Sequence, residues 1–224
     1  GICWSYSPAY PRTLPPYASP QDLLKNTQTE FWSVNMGNPP AYDPIRDTLE
    51  KLWHIPVSLN NDAELGVLGE WAAGAGRGER NLAYIKVGTG IGAGLLLDGQ
   101  IYRGVTGSAG EIGHLTMDEN GPLCTCGNHG CLEAIAGGRA IARQAQEAVH
   151  NKQRTQLASI LPPENISARE VATAARRGDL ISQQILARAG TQIGIAIAGM
   201  VNLFNPGLVI IGGGVAQTGD ILLD

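Results

Sequence analysis

Three cysteines and a histidine, Cys124, Cys126, Cys131 and His114, fall within one short stretch of a 224-residue chain. Three thiolates and one imidazole make a complete tetrahedral set for zinc, with no position left for a catalytic water. Such a metal staples a fold. Gly127 and Gly130 allow the tight turn that returns the third sulfur to the first two. His129, inside the same loop, competes for the fourth ligand position, and spacing leans only slightly to His114. Two carboxylates flank the ligands: Glu111 precedes His114, and Glu133 follows Cys131. A metal clip that gathers two acids and a histidine in one place makes a polar pocket.

The elements around this stretch must position it. Pro44–Trp53 reads as an amphipathic helix with proline in its first turn. Ile55–Leu59 reads as a short buried strand ending at Asn60-Asn61-Asp62, and Ala63–Ala73 as the helix that follows. Ligands of α/β sheets collect at the carboxyl ends of strands, which gives Asp62 the position of a working residue. The same position suits a helix N-cap, and the pattern alone leaves both readings open.

Leu82–Val87 is a strand, Gly88–Gly94 (GTGIGAG) a glycine-rich turn and Leu95–Leu97 the return strand. Asp98-Gly99 makes a second tight turn before a strand at Gln100–Tyr102. No helix follows GTGIGAG, as a dinucleotide fingerprint requires, and it lacks the P-loop lysine. Bare backbone between antiparallel strands can still offer amides to a phosphate.

Leu132 to about Val149 is helical with a break near Gly137-Gly138, and Ser167–Glu170 is a capping box that opens the next helix. Asp179 caps a long helix to Phe204, whose centre, apolar nearly all round, is expected to be buried, with Gly194 and Gly199 admitting a neighbouring backbone. Leu208–Ile211 is a core strand ending in Gly212-Gly213-Gly214, which leaves room for a flat ligand such as adenine.

Composition excludes several classes. Hydrophobic residues make up 43% of the chain, so it is globular rather than disordered. The net charge is -4 and no basic run occurs, which argues against this segment gripping a nucleic-acid backbone. No stretch reaches the ~20 apolar residues of a membrane helix. Cys3, left over once the other cysteines are assigned to metal, suits a reducing cytoplasm. Eight of the thirteen prolines lie between Pro8 and Pro44, so the opening is expected to be irregular.

The order of the pieces is more specific than any one of them. NNDAELGVLGE, VGTGIGAGLLLDGQIYRG, GSAGEIGH, CTCGNHGCLEAIAG and LVIIGGG together resemble the ROK family of repressors, open reading frames and sugar kinases, over about residues 44–224. The resemblance implies an α/β, actin-like ATPase (ribonuclease H-like) lobe with an inserted zinc-binding loop. On this reading residues 1–58 are a remnant of a first lobe that is largely missing. Residues 59–224 are then the second lobe, C-terminally truncated, with the zinc clip at 114–131. The family's first phosphate loop, D-x-G-x-T, is absent, so this chain alone is expected to turn over poorly.

By the same resemblance Asp62 is a general base in phosphoryl transfer from ATP to a sugar. Asn61, Glu111, His114 and Glu133 bind the sugar, and His114, rather than His129, ligates zinc. Gly88, Thr89, Gly90 and Gly92 belong to a phosphate loop, and Gly212, Gly213 and Gly214 to an adenosine loop. Structural zinc, ATP and magnesium are the implied cofactors. A hexose such as glucose, or an N-acetylhexosamine such as N-acetylmannosamine, is the implied substrate of a cytoplasmic homo-oligomer. The alternative is the sugar-sensing domain of a repressor that meets DNA only through a helix-turn-helix outside this chain.

Overall fold

The computed structural model describes residues 43–57, 60–160, 162–219 and 222. In chain order these form α1 (Asp43–Trp53), α2 (Asp62–Ala73), β1 (Leu82–Val87), β2 (Ile91–Leu97) and β3 (Gln100–Ile101). Then come α3 (Leu132–Ala136), α4 (Gly138–His150), α5 (Ala168–Arg176), α6 (Leu180–Phe204) and β4 (Leu208–Gly212). The strands lie in the order β3-β2-β1-β4. β1 runs antiparallel to β2 and parallel to β4, so Lys86 stands opposite Gly92 on one side and Gly212 on the other. The parallel pair requires a long crossover, and the segment ending in α6 provides it.

Side chains alternate across the sheet. Ala83, Ile85 and Val87 of β1, with Ala93 and Leu95 of β2, face the core covered by α3 to α6. Leu82 and Leu96 face the other way, where Val67 of α2 packs with Tyr84, Ile101 and Leu208. The same period sends Lys86 to the α2 side. At Gly94 a Cβ would overlap the Ala63 carbonyl oxygen, so its lack of a side chain lets α2 lie directly on β2.

The predicted caps hold. Ser167 and Glu170 form a reciprocal capping box on α5, and Asp179 caps α6. Asp98 and Gly99 both take positive φ, as a type I′ hairpin turn needs. The helix after the cysteine cluster breaks at Gly137, between α3 and α4.

Several expectations are corrected. Residues 55–57 form no strand, and the Val57 amide donates to Glu50 Oε1 at 3.0 Å, a side-chain partner in place of a ladder; Ser58 and Leu59 lie outside the described residues. The N-cap of α2 is Asn61, whose Oδ1 accepts the Glu64 amide at 2.7 Å, and Asp62 is the first helical residue. The glycine-rich turn is shorter than GTGIGAG, because β2 begins at Ile91 and takes Gly92 and Gly94 into its ladder. β4 is half-buried along its length.

The centre of α6 is buried on one side only. Ile193, Ala196 and Met200 enter the core, whereas Ile195 is 54% and Leu203 80% exposed, and a Cβ at Gly194 or Gly199 would meet nothing. Apolar composition did not mean cover on both faces. By length and composition α6 is also apolar enough to cross a membrane, but its stripe from Ile185 to Met200 is part of the core. Residues 1–42 of the proline-rich opening, Cys3 among them, lie outside the described residues, and Pro44 falls in α1.

Candidate functional site

Local chemistry builds the cysteine loop before any metal is considered. Paired bridges Thr116–Cys131 and Leu123–His129 make it a small, two-tiered knuckle. Met117 donates its amide to the Gly130 carbonyl at 2.8 Å, and Cys124 donates to Asn128 O at 2.8 Å. Gly130 sits at φ 62° with no room for a Cβ beside the Asp118 carbonyl, so only glycine closes this turn.

The four ligand atoms of His114, Cys124, Cys126 and Cys131 lie within 4.8 Å of one another. Cys126 Sγ stands 3.6 Å from Cys131 Sγ, and Cys124 Sγ stands 3.7 Å from His114 Nδ1. Zinc bonds of about 2.3 Å to sulfur and about 2.0–2.1 Å to nitrogen give a tetrahedron with edges of about 3.6–3.8 Å. The donor set fits zinc. His129 is elsewhere, with Nδ1 3.1 Å from the Gly121 carbonyl. Burial, reinforced by the neighbouring sulfurs, pushes the Cys131 thiol up to about 12. The exposed Cys126 is lowered, chiefly by the Asn128 backbone.

The other ring nitrogen of His114 faces away from the sulfurs, with Nε2 3.8 Å from Glu111 Oε2. Beside it opens a concave site of about 210 Å³, whose charged lining is Asp62, Lys86, Glu111, His114, Glu133 and Arg139. Asn61 and the backbone of Thr89 to Gly92 complete it. Glu133, on α3, reaches across to accept the Ile91 amide at 3.1 Å, which fixes its carboxylate against the start of β2. Burial raises the Glu111 carboxyl above its ordinary value; Glu133 and Asp62 push the same way, and His114 pulls it back. Three acids thus share one small volume.

Of the residues singled out from the sequence, Asn61, Asp62, Thr89, Gly90, Gly92, Glu111, His114 and Glu133 meet in this cleft. Gly88 stands behind it, its carbonyl accepting the Gly138 amide of α4 at 2.9 Å. Gly212, Gly213 and Gly214 end β4 next to β1, where the Val215 amide bonds Val87 O at 3.0 Å, and they do not line the cleft. A larger, shallower depression of about 670 Å³ between Trp71 and Asp98 holds none of the predicted residues.

Sequence reasoning missed Lys86 and Arg139. The Lys86 ammonium is ion-paired with the Asp62 carboxylate, and Arg139 opens α4 beside the glycine turn. The position of Lys86, at the carboxyl end of a strand and just before a glycine turn, was the available signal.

Comparison with known proteins gives a consistent outcome. The model of the ROK family matches residues 23–224, so part of the proline-rich opening, which the sequence motifs did not reach, also matches. A glucokinase of Halalkalibacterium halodurans is 41% identical over 182 residues, covering 80% of this chain and 55% of that protein. The DNA-binding transcriptional repressor Mlc of Escherichia coli is 35% identical over 179 residues, covering 80% of this chain and 43% of the repressor. Among solved structures, a ROK family glucokinase from Streptomyces griseus in complex with glucose and AMPPNP superposes with a TM-score of 0.71. It is 34% identical, with 81% of this chain and 59% of that one covered. The chain therefore spans about half the length of the curated relatives it matches.

Proposed function

The chain belongs to the ROK family, whose actin-like ATPase fold its α/β lobe shares, and from that premise we propose that the full-length protein is a sugar kinase. It transfers the γ-phosphoryl group of ATP to a hexose, glucose or a close relative such as N-acetylmannosamine. The observation that carries this reading is the convergence of Asp62 with Glu111, His114 and Glu133 around one cleft floored by the glycine turn. The glucose and nucleotide analogue named for the Streptomyces griseus relative support it.

Each residue has a chemical part. A hexose presents hydroxyls that both donate and accept, and carboxylates, an amide and an imidazole N–H match them. Glu111 and Glu133 accept from the sugar. The Asn61 carbonyl oxygen is engaged with the Glu64 amide, which leaves its NH₂ group to donate. His114, whose Nδ1 faces the sulfurs, would hold zinc there and meet the sugar through Nε2, and the metal would fix the direction of that contact. Asp62 accepts the proton of the attacking hydroxyl. The bare backbone of Gly88 to Gly90 receives phosphate, and Gly212 to Gly214 the adenosine. His114, Cys124, Cys126 and Cys131 would hold zinc, which would supply orientation, and magnesium accompanying the nucleotide would neutralise phosphate charge. The protein works in the cytoplasm as a homo-oligomer.

The second reading is the sugar-sensing domain of a repressor, which the match to Mlc favours. One comparison separates the two. In the full-length kinase, Asp62→Asn abolishes sugar phosphorylation while sugar affinity stays within about threefold. A wild type that binds sugar tightly and yields no sugar phosphate from ATP and magnesium is a sensor.

A further inference from the structure

Lys86 is the penultimate residue of β1 and faces the α2 side of the sheet. Its partners across both neighbouring strands are glycines, Gly92 and Gly212. Neither glycine has a side chain to stand beside it; the Tyr84 ring covers Gly212, and the Lys86 stem turns toward Gly88 and the cleft. The side chain is 32% exposed, and its ammonium meets Asp62 Oδ2, across 24 residues of sequence. An ammonium has three donors, and the Asp62 contact uses one.

The charge balance of the cleft gives the remaining donors a task. Asp62, Glu111 and Glu133 line it, and a triphosphate entering among three acids needs cations to meet it. Among the described residues, Lys86 and Arg139 are the basic side chains other than His114 that line the cleft. Lys86 is the one in contact with the proposed base. In the transfer, the sugar oxygen forms a bond to the γ-phosphorus as the bond to the β,γ-bridging oxygen breaks. The hydroxyl proton passes to Asp62, and ADP leaves. The phosphoryl group in flight therefore stands one sugar oxygen away from Asp62, on the side of the cleft that Lys86 also lines.

We propose that Lys86 is a phosphate-binding residue, whose ammonium bridges the Asp62 carboxylate and the transferring phosphoryl group of the nucleotide. The assignment rests on the kinase reading of the cleft. It uses lysine as a compact point charge, as nucleotide sites elsewhere do, but from the end of a strand rather than from a phosphate loop.

The test is calorimetric binding by the full-length protein with magnesium present, using a non-hydrolysable ATP analogue, AMP and glucose as separate titrants. Lys86→Met is expected to weaken the triphosphate analogue by ~10–150-fold, the worth of a charge-assisted contact. AMP and glucose affinities stay within about threefold, and Lys86→Arg, which keeps the charge, retains most of the analogue affinity. Unchanged analogue affinity in Lys86→Met overturns the proposal. So does a parallel loss of glucose affinity, which makes Lys86 only a prop for the sugar side, or a wild type that binds no triphosphate. The kinase reading is scored separately: a wild type that binds the analogue but forms no sugar phosphate sinks that reading and leaves Lys86 as a phosphate contact.

Discussion

Replacing Gly90 with alanine adds one methyl group and tests how the glycine turn and the sugar site are joined. A Cβ at Gly90 would overlap Glu133 Oε2, the atom that accepts the Ile91 amide at 3.1 Å. Gly90 is not among the positive-φ residues, so the backbone tolerates alanine and the carboxylate must give way. Two costs follow. Ile91 is 5% exposed, and its amide loses an acceptor, at about 1–3 kcal/mol of stability. For a domain of this size that is a fall in Tm of about 2–12 °C. On the kinase reading, the displaced carboxylate also loses the proposed bond to a sugar hydroxyl, about 1.5–3 kcal/mol, or ~10–150-fold in affinity. Calorimetric titration of glucose into wild type, Gly90→Ala, Glu133→Ala and the double variant reads both effects. If the methyl acts through the carboxylate, the double variant binds no more weakly than Glu133→Ala alone. Glucose affinity within twofold of wild type in Gly90→Ala refutes the placement of Glu133 against the sugar.

Other perturbations reach the remaining parts of the fold. Cys126→Ser is expected to lose zinc, measured by mass spectrometry, and to weaken glucose binding with it, since His114 loses its anchor; retained zinc with unchanged sugar affinity would contradict the pocket-building role. Gly94→Ala drives a methyl into the Ala63 carbonyl and is expected to destabilise by ~1–3 kcal/mol in urea melts, by strain from overpacking. Asp179 accepts from Ser182 N and Oγ, Thr155 Oγ1 and Gln156 N, so Asp179→Ala, losing the cap and orphaning buried donors, is expected to cost about 2–5 kcal/mol. Burial alone would raise the Asp179 carboxyl, but these bonds outweigh it and hold it below its ordinary value. Its contribution is therefore present above about pH 4, the unfolded value, and lost as pH falls through the folded one. The gap in stability between wild type and Asp179→Asn is expected to be constant from pH 5 to 8 and to close below about pH 4; a gap that widens on acidification would reverse the sign.

The parts of this molecule fixed by local chemistry were legible in its sequence. The capping box at Ser167 and Glu170, the cap at Asp179 and the bounds of β1 follow from residue types and periodicity. The clustering of His114 with three cysteines followed from donor chemistry, and the choice of His114 over His129 from family resemblance. What stayed hidden depended on pairing across distance. Lys86 looks like a solvated strand residue until the sheet sets it between two glycines and α2 brings Asp62 to it. The start of β2 inside GTGIGAG was hidden because glycine carries no alternation to read. The exposed face of α6 was hidden because Ile195 and Leu203 are as apolar as the buried Ile193 and Met200. Residues 55–57 read as a strand by composition, but a strand also needs a partner edge, and Val57 bonds a glutamate side chain instead.

The most direct measurement is a crystal structure of the full-length protein soaked with glucose. Sugar hydroxyls within hydrogen-bond distance of Glu111, Glu133 and His114 Nε2, with one hydroxyl on Asp62 and zinc on the sulfurs and Nδ1, are the expected result. Glucose bound away from Asp62, or the sulfurs holding no metal while glucose still occupies the cleft, would contradict it.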